Sequence, residues 1–137
     1  MLKRYSLNIY AGMTRNENAK GMMMSDCLFC GIVEGRVAGD VVYRDESVVA
    51  FRDLRPQAPV HVLIVPRKHV ATISDLEGND QAVVNQIFVV IAKLAREQGI
   101  AESGFRVVIN SGADAGQSVF HLHFHLLGGR HLSWPPG

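Results

Sequence analysis

The chain has little with which to cross-link itself: only two cysteines, Cys27 and Cys30, occur in 137 residues. A disulfide framework needs more pairs, and two thiols this close are better suited to a metal or to redox chemistry. Charge of either sign is also scarce in net terms. Fourteen Lys and Arg face thirteen Asp and Glu, a net +1, so no global field draws the protein to nucleic acid or anionic membrane. Any affinity for phosphate must therefore be local. No apolar run approaches the roughly 18 residues that suggest a membrane span. The N-terminus lacks a clean apolar segment followed by a small-residue cleavage site, so a cytoplasmic location is the expectation. With 47% hydrophobic and 20% charged residues, the chain reads as a single globular domain long enough to bury one core.

Taken in order, residues 1–23 show no sustained period and lead into Met22, Met23 and Met24. They read as an N-terminal extension, flexible or non-native, with Met24 as the natural start of a domain over 24–137. Ser25 or Asp26 can cap a short helix over Cys27 to Glu34, which Gly35 ends. Val41 to Tyr43 and Ser47 to Phe51 form a hairpin about Arg44-Asp45-Glu46, and a loop punctuated by Pro56 and Pro59 leads into a strand from Val60 to Val65. After a helical turn over Thr72 to Leu76, Asn79 or Asp80 caps a long helix reaching Gln98, with Gly99 as its stop. Val83, Val84, Ile87, Phe88, Ile91, Leu94 and Ala95 recur on it at helical spacing, a stripe assigned to packing. Phe105 to Asn110 is a fourth strand and Val119 to Leu127 a fifth. The expectation is an α+β fold, an antiparallel sheet of about five strands on helix, with one long and one short helix.

Three of the six histidines lie in the fifth strand, alternating with apolar residues: His121-Leu122-His123-Phe124-His125-Leu126-Leu127. With a side-chain period of two, Leu122, Phe124 and Leu126 face a core and the imidazoles form a row, successive rings roughly 6.5 to 7 Å apart. Ahead of them runs a loop rich in small residues, Ser111 to Gln117, in which Gly112 and Gly116 can turn where other residues cannot. Its backbone N–H groups could approach an oxyanion. A neutral imidazole can attack phosphorus while its neighbours hold the charged oxygens. The same His-x-His spacing also suits a transition metal, and residue chemistry alone leaves both uses open.

The run from His121 to Leu127 resembles the signature of the histidine triad (HIT) superfamily, His-x-His-x-His followed by two apolar residues. The resemblance extends over Ser25 to Gly137. It takes in Asp53-Leu54-Arg55-Pro56-Gln57-Ala58-Pro59, His61, Pro66-Arg67-Lys68-His69, Gly116-Gln117-Ser118, Gly128-Gly129-Arg130 and Trp134-Pro135-Pro136-Gly137, which are similar to the Hint branch of purine nucleoside phosphoramidases.

The resemblance implies hydrolysis of nucleoside 5′-phosphoramidates: adenosine phosphoramidate, other AMP–amine conjugates and acyl-adenylates. His123 would attack the α-phosphorus to form a nucleotidyl-histidine, which water then cleaves. His125 would contact the phosphate oxygens, Ser118 would assist the leaving amine, and Asn110 with the amides around Gly116 and Gln117 would complete the cradle. His61 would sit behind the nucleophile and fix its tautomer. Asp53 would take the ribose hydroxyls, and Phe29, Ile32, Phe51 and Leu54 would form a purine slot. Some members pair such cysteines with two histidines, which here makes Cys27, Cys30, His69 and His121 the ligands of a structural Zn²⁺ separate from catalysis. A homodimer is implied, meeting through the long helix and the fourth strand, with Trp134 reaching toward the partner's site. Two alternatives are a dinucleoside polyphosphate hydrolase of the same superfamily and a nucleotide-binding regulatory protein with little catalysis.

Overall fold

The computed structural model describes residues 26–137. The N-terminal extension, the start at Met24 and the Ser25 cap lie outside these residues. Two α-helices and five strands follow in the order α1 (Leu28–Val33), β1 (Val41–Arg44), β2 (Val48–Arg52), β3 (Val60–Pro66), α2 (Gln81–Glu97), β4 (Phe105–Val108) and β5 (Phe124–Gly128). The strands form one antiparallel sheet in the order β1-β2-β3-β5-β4, so the last strand inserts between β3 and β4. No helix among the described residues is long and apolar enough to cross a membrane.

Alternation along the strands gives the sheet two buried faces. Val48, Ala50, Val62, Ile64, Phe124 and Leu126 point to one side, where Ile87, Val90, Ile91, Leu94 and Ala95 of α2 cover them. Val49, Phe51, Leu63 and Val65 point to the other, against Phe29, Cys30, Ile32 and Val33 of α1. The expectation of a sheet on helix therefore needs a third layer: the short helix packs on the opposite face. Six residues suffice because α1 brings a nearly continuous apolar run rather than a stripe.

Local chemistry sets the element ends. The hairpin turn is held by Asp45, whose Oδ1 accepts from the amides of Ser47 (2.8 Å) and Val48 (2.7 Å), an Asx turn. Helix α2 stops in a Schellman motif: the Ile100 amide donates to Ala95 O (2.9 Å) and the Gly99 amide to Arg96 O (3.1 Å), with Gly99 at φ 73°. Asp80 occupies the N-cap of α2, but its carboxylate accepts from Lys68 Nζ (2.8 Å) and Glu77 N (2.9 Å) rather than from the helix. The N-cap of α1 is Cys27 rather than Asp26; its Sγ accepts from the Cys30 amide at 3.4 Å. On α2 the buried stripe includes Val90, while Phe88 is 50% exposed and meets Phe124 edge-on.

The fifth strand is shorter than its alternation predicts. Residues 119–123 are not strand, and β5 begins only at Phe124, paired with Ile64. The His121 ring explains the break: its Nε2–H donates to Pro66 O at 2.8 Å, in place of a ladder amide, while the Leu122 amide turns to Val70 O. A side chain that satisfies the backbone locally competes with sheet extension. Leu122, Phe124 and Leu126 are still all buried in the α2-side core, so the alternation places the side chains correctly even where the ladder ends.

Candidate active site and metal cluster

A cleft of about 460 Å³ opens beside α1, on the sheet face away from α2. Of the residues predicted for the site, Phe29, Ile32, Phe51, Asp53, Leu54, His61, Gly116, Ser118, His123 and His125 line it. The sheet supplies His61 at the start of β3 and His125 in β5, both on the face that carries Leu63. Leu28, Val37, Ala38, Gly39 and Leu63 also line the cleft. Leu63 was legible in principle, since it follows His61 by two in one strand.

The three imidazoles of the triad have different surroundings. His121 is fully buried and His123 is 6% exposed. His123 donates its Nδ1–H to the carbonyl of His121 at 2.7 Å. In a neutral ring that commitment leaves Nε2 with the lone pair. Burial first, and no nearby charge strong enough to offset it, lowers the His123 pKa below the ordinary imidazole value and keeps the ring neutral at pH 7. Phe29 meets that ring edge-on, with centroids 5.1 Å apart and planes at 88°.

His61 is tied to His125 rather than to His123, correcting the expectation that it backs the nucleophile. The Gln57 amide donates to His61 Nδ1 at 3.0 Å, so the proton of the neutral ring is on Nε2, 2.9 Å from His125 Nδ1. His125 must then carry its own proton on Nε2. That atom is buried without a protein partner and belongs to a ring lining the cleft, a donor awaiting an acceptor. Asp53 Oδ2 lies 3.4 Å from His61 Nε2, and its Oδ1 caps Arg55 N. Asp53, His61 and His125 also have metal-ligand spacing, but the two facing ring nitrogens already share a proton.

The loop before the triad behaves differently from the predicted phosphate cradle. Gly112 and Gly116 do take positive φ, 86° and 85°. The amides of Gly116 and Gln117, however, donate to Ala113 O and Gly112 O within the loop itself. The Gln117 side chain is buried and bridges Gly112 N, Ala71 O and Val119 O, a strut rather than a ligand contact. Asn110, beyond the end of β4, is not among the lining residues, and neither is Trp134, which is 81% exposed.

Behind the cleft, Cys27, Cys30, His69 and His121 bring one ligand atom each within 4.8 Å of one another and could hold a metal ion. His121 Nδ1 is 3.5 Å from each sulfur, and His69 Nδ1 is 3.3 Å from Cys30 Sγ. A tetrahedral zinc centre with its usual bond lengths has S···N edges of about 3.5 Å. The tautomer also fits, because the Nε2–H bond to Pro66 O frees Nδ1 of His121 for ligation. Without a cation, burial and then Cys27 push the Cys30 thiol up to about 12. A bound dication would reverse that preference by stabilising the thiolate.

A model of the HIT domain matches residues 34–132. The purine nucleoside phosphoramidase of Escherichia coli (strain K12) is 41% identical over 110 residues, which cover 80% of this chain and 92% of that protein. An uncharacterized HIT-like protein of Synechococcus elongatus is 43% identical over 115 residues, 84% of this chain and all of the other. Among solved structures, a HIT family hydrolase from Legionella pneumophila Philadelphia 1 superposes with a TM-score of 0.80 at 49% identity, covering 81% of this chain and 99% of that one.

The histidine environments have a consequence for acid stability. Burial, then the positive charges that His123 and His61 would carry, lowers the His125 pKa from 6.5 to about 4, and burial lowers that of His61. Between pH 6.5 and 4 the unfolded chain takes up protons that the folded site refuses, and stability rises with pH where the unfolded state binds more. These groups therefore contribute fully above pH 6.5 and progressively less down to pH 4. Urea midpoints should fall across this window, and less steeply in His125→Asn; a flat profile, or an equal slope in the variant, would contradict the assignment.

Proposed function

The chain belongs to the HIT domain family, and from that premise we propose that it hydrolyses nucleoside 5′-phosphoramidates with His123 as the nucleophile. The observation that carries this reading is the 2.7 Å bond from His123 Nδ1–H to His121 O, which leaves a neutral ring with its Nε2 lone pair at the cleft. In the first step Nε2 attacks the α-phosphorus, a P–Nε2 bond forms, and the substrate's P–N bond breaks. The departing nitrogen takes a proton from solvent through the Ser118 hydroxyl, which lines the cleft, and leaves as the free amine. Water then attacks phosphorus and gives up a proton to solvent, the P–Nε2 bond breaks, and the nucleoside monophosphate leaves His123 neutral. A covalent route divides one hard displacement into two easier ones.

His125 donates its Nε2–H to a phosphate oxygen, the acceptor that this buried nitrogen lacks within the protein. Asp53 accepts from the ribose hydroxyls, and Phe29, Ile32, Phe51 and Leu54 sandwich the purine; all five line the cleft. In the same reading the protein is a homodimer. The edge strand β4 with its half-exposed Phe105, and Phe88 and Val89 on the outer face of α2, supply a surface for a second copy, and Trp134 extends toward the partner's cleft.

Turnover of adenosine 5′-phosphoramidate tests the assignment. His123→Ala and His123→Asn should each lose about a thousandfold or more in kcat. An inactive unmodified protein, or variants that keep their rate, would sink the mechanism. Faster cleavage of a dinucleoside polyphosphate by the same protein would move the assignment to that substrate class.

We further propose that the Cys27, Cys30, His69 and His121 cluster holds zinc, which when bound supplies a structural cross-link and no catalytic step. The protein should purify with about one zinc per chain and lose thermal stability in chelator. Cys30→Ala should bind no zinc. Metal-free protein with a chelator-insensitive melting midpoint would contradict this.

A further inference from the structure

Outside the cleft, one exposed cation makes a pair of contacts that lead back into it. Arg130 donates from Nε (3.0 Å) and Nη2 (2.9 Å) to the single carbonyl oxygen of Gln57, and from Nη1 to His131 O. The amide of that same Gln57 donates to His61 Nδ1, and His61 Nε2–H donates to His125 Nδ1. Four residues thus form one directed chain that ends at the unpartnered Nε2 of His125.

We propose that Arg130 is a positioning residue of the active site, clamping Gln57 so that its amide holds His61 and His125 in a single tautomer. The inference rests on the reading of His125 as the phosphate donor. The loop over residues 53–59 needs such a clamp. Pro56 and Pro59 contribute no N–H, and the loop's internal ties are local, from Arg55 N to Asp53 Oδ1 and from Gln57 Nε2 to Arg55 O. The clamp arrives from the end of β5, where the chain turns at Gly129 with φ 90°. A Cβ there would come within 2.9 Å of Pro59 Cβ, so the close approach that aims Arg130 at the loop requires glycine on two counts. A guanidinium suits the task because its fixed fork places two N–H groups on one oxygen.

The consequence of releasing the clamp follows from the tautomer chain. If the Gln57 amide drifts from His61 Nδ1, that nitrogen can take the ring proton in a fraction of molecules, against the pull of Asp53 Oδ2 3.4 Å from Nε2, and Nε2 there becomes an acceptor. His125 must then protonate Nδ1 to keep the bond between the rings, and its Nε2 presents a lone pair where a donor is needed. Substrate can still enter, since Arg130 does not line the cleft, but the developing negative charge loses its donor.

The test uses full-length protein as purified, ¹⁵N-labelled, with the long-range NMR couplings of the histidine rings read below the melting midpoint. In the unmodified protein His61 and His125 should both report Nε2–H. In Arg130→Ala one or both should show a second, Nδ1–H population, while kcat on adenosine 5′-phosphoramidate falls about tenfold with KM within about twofold. Arg130→Lys should recover part of both. Tautomers that stay unchanged in Arg130→Ala would overturn the inference, whether or not the rate falls. If the unmodified protein fails to turn over the substrate, the hydrolysis reading fails, and the ring spectra still decide on the relay.

Discussion

The hydrogen bond from His123 Nδ1–H to the carbonyl of His121 is the contact on which the rest of the site depends. A free imidazole exchanges its proton between two nitrogens, and only a fixed partner for one of them leaves the other permanently basic. Here that partner is main chain, two residues upstream, and it can reach because residues 119–123 leave the sheet before β5 begins. The departure is in turn anchored by the His121 ring, held between Pro66 O and the two cysteine sulfurs. The side chain of His121 therefore belongs to the cluster with Cys27, Cys30 and His69, while its carbonyl belongs to His123, the proposed nucleophile.

This arrangement gives the layer above the cleft a second task. Phe29 sits between Cys27 and Cys30 in sequence and meets both His121 and His123 edge-on, at 6.1 and 5.1 Å. A cross-link at the cluster would thus steady His123 by two routes, through the His121 backbone and through the Phe29 ring. His125 is steadied from the other side of the cleft by His61 and the Gln57 amide. The His123 and His125 rings come out with opposite tautomers, one presenting a lone pair and one a donor, the combination that the proposed attack on a phosphoryl group needs.

Much of this is legible in the residues, and the remainder fails for identifiable reasons. Alternation correctly sends Leu122, Phe124 and Leu126 to the core, and caps and glycine stops bracket α2 to within a residue or two. The length of the fifth strand is not legible, because a period-of-two pattern cannot reveal that a ring takes the place of a ladder amide. Nor is the partner of His61, which depends on register: β3 and β5 pair His61 with Leu127 and Leu63 with His125, so the two histidines meet diagonally across the ladder. The glycine-rich loop misleads in a different way. Its composition permits a phosphate cradle, but the Gly116 and Gln117 amides are consumed by the loop's own turns. Gln117, read as a ligand contact, is a buried strut for the same segment. The role of Arg130 needs three-dimensional contact with a loop more than 70 residues away in the chain, and no local pattern encodes it.

The proposed chemistry is covalent and centred on one nitrogen. Rapid-quench mass spectrometry on protein mixed with adenosine 5′-phosphoramidate measures it directly, by locating the nucleotidyl group on the digested chain. A transient adduct on His123 should form within the first turnover, decay as substrate is exhausted, and be absent from His123→Asn. Turnover with no adduct, or an adduct carried by another residue, would contradict it.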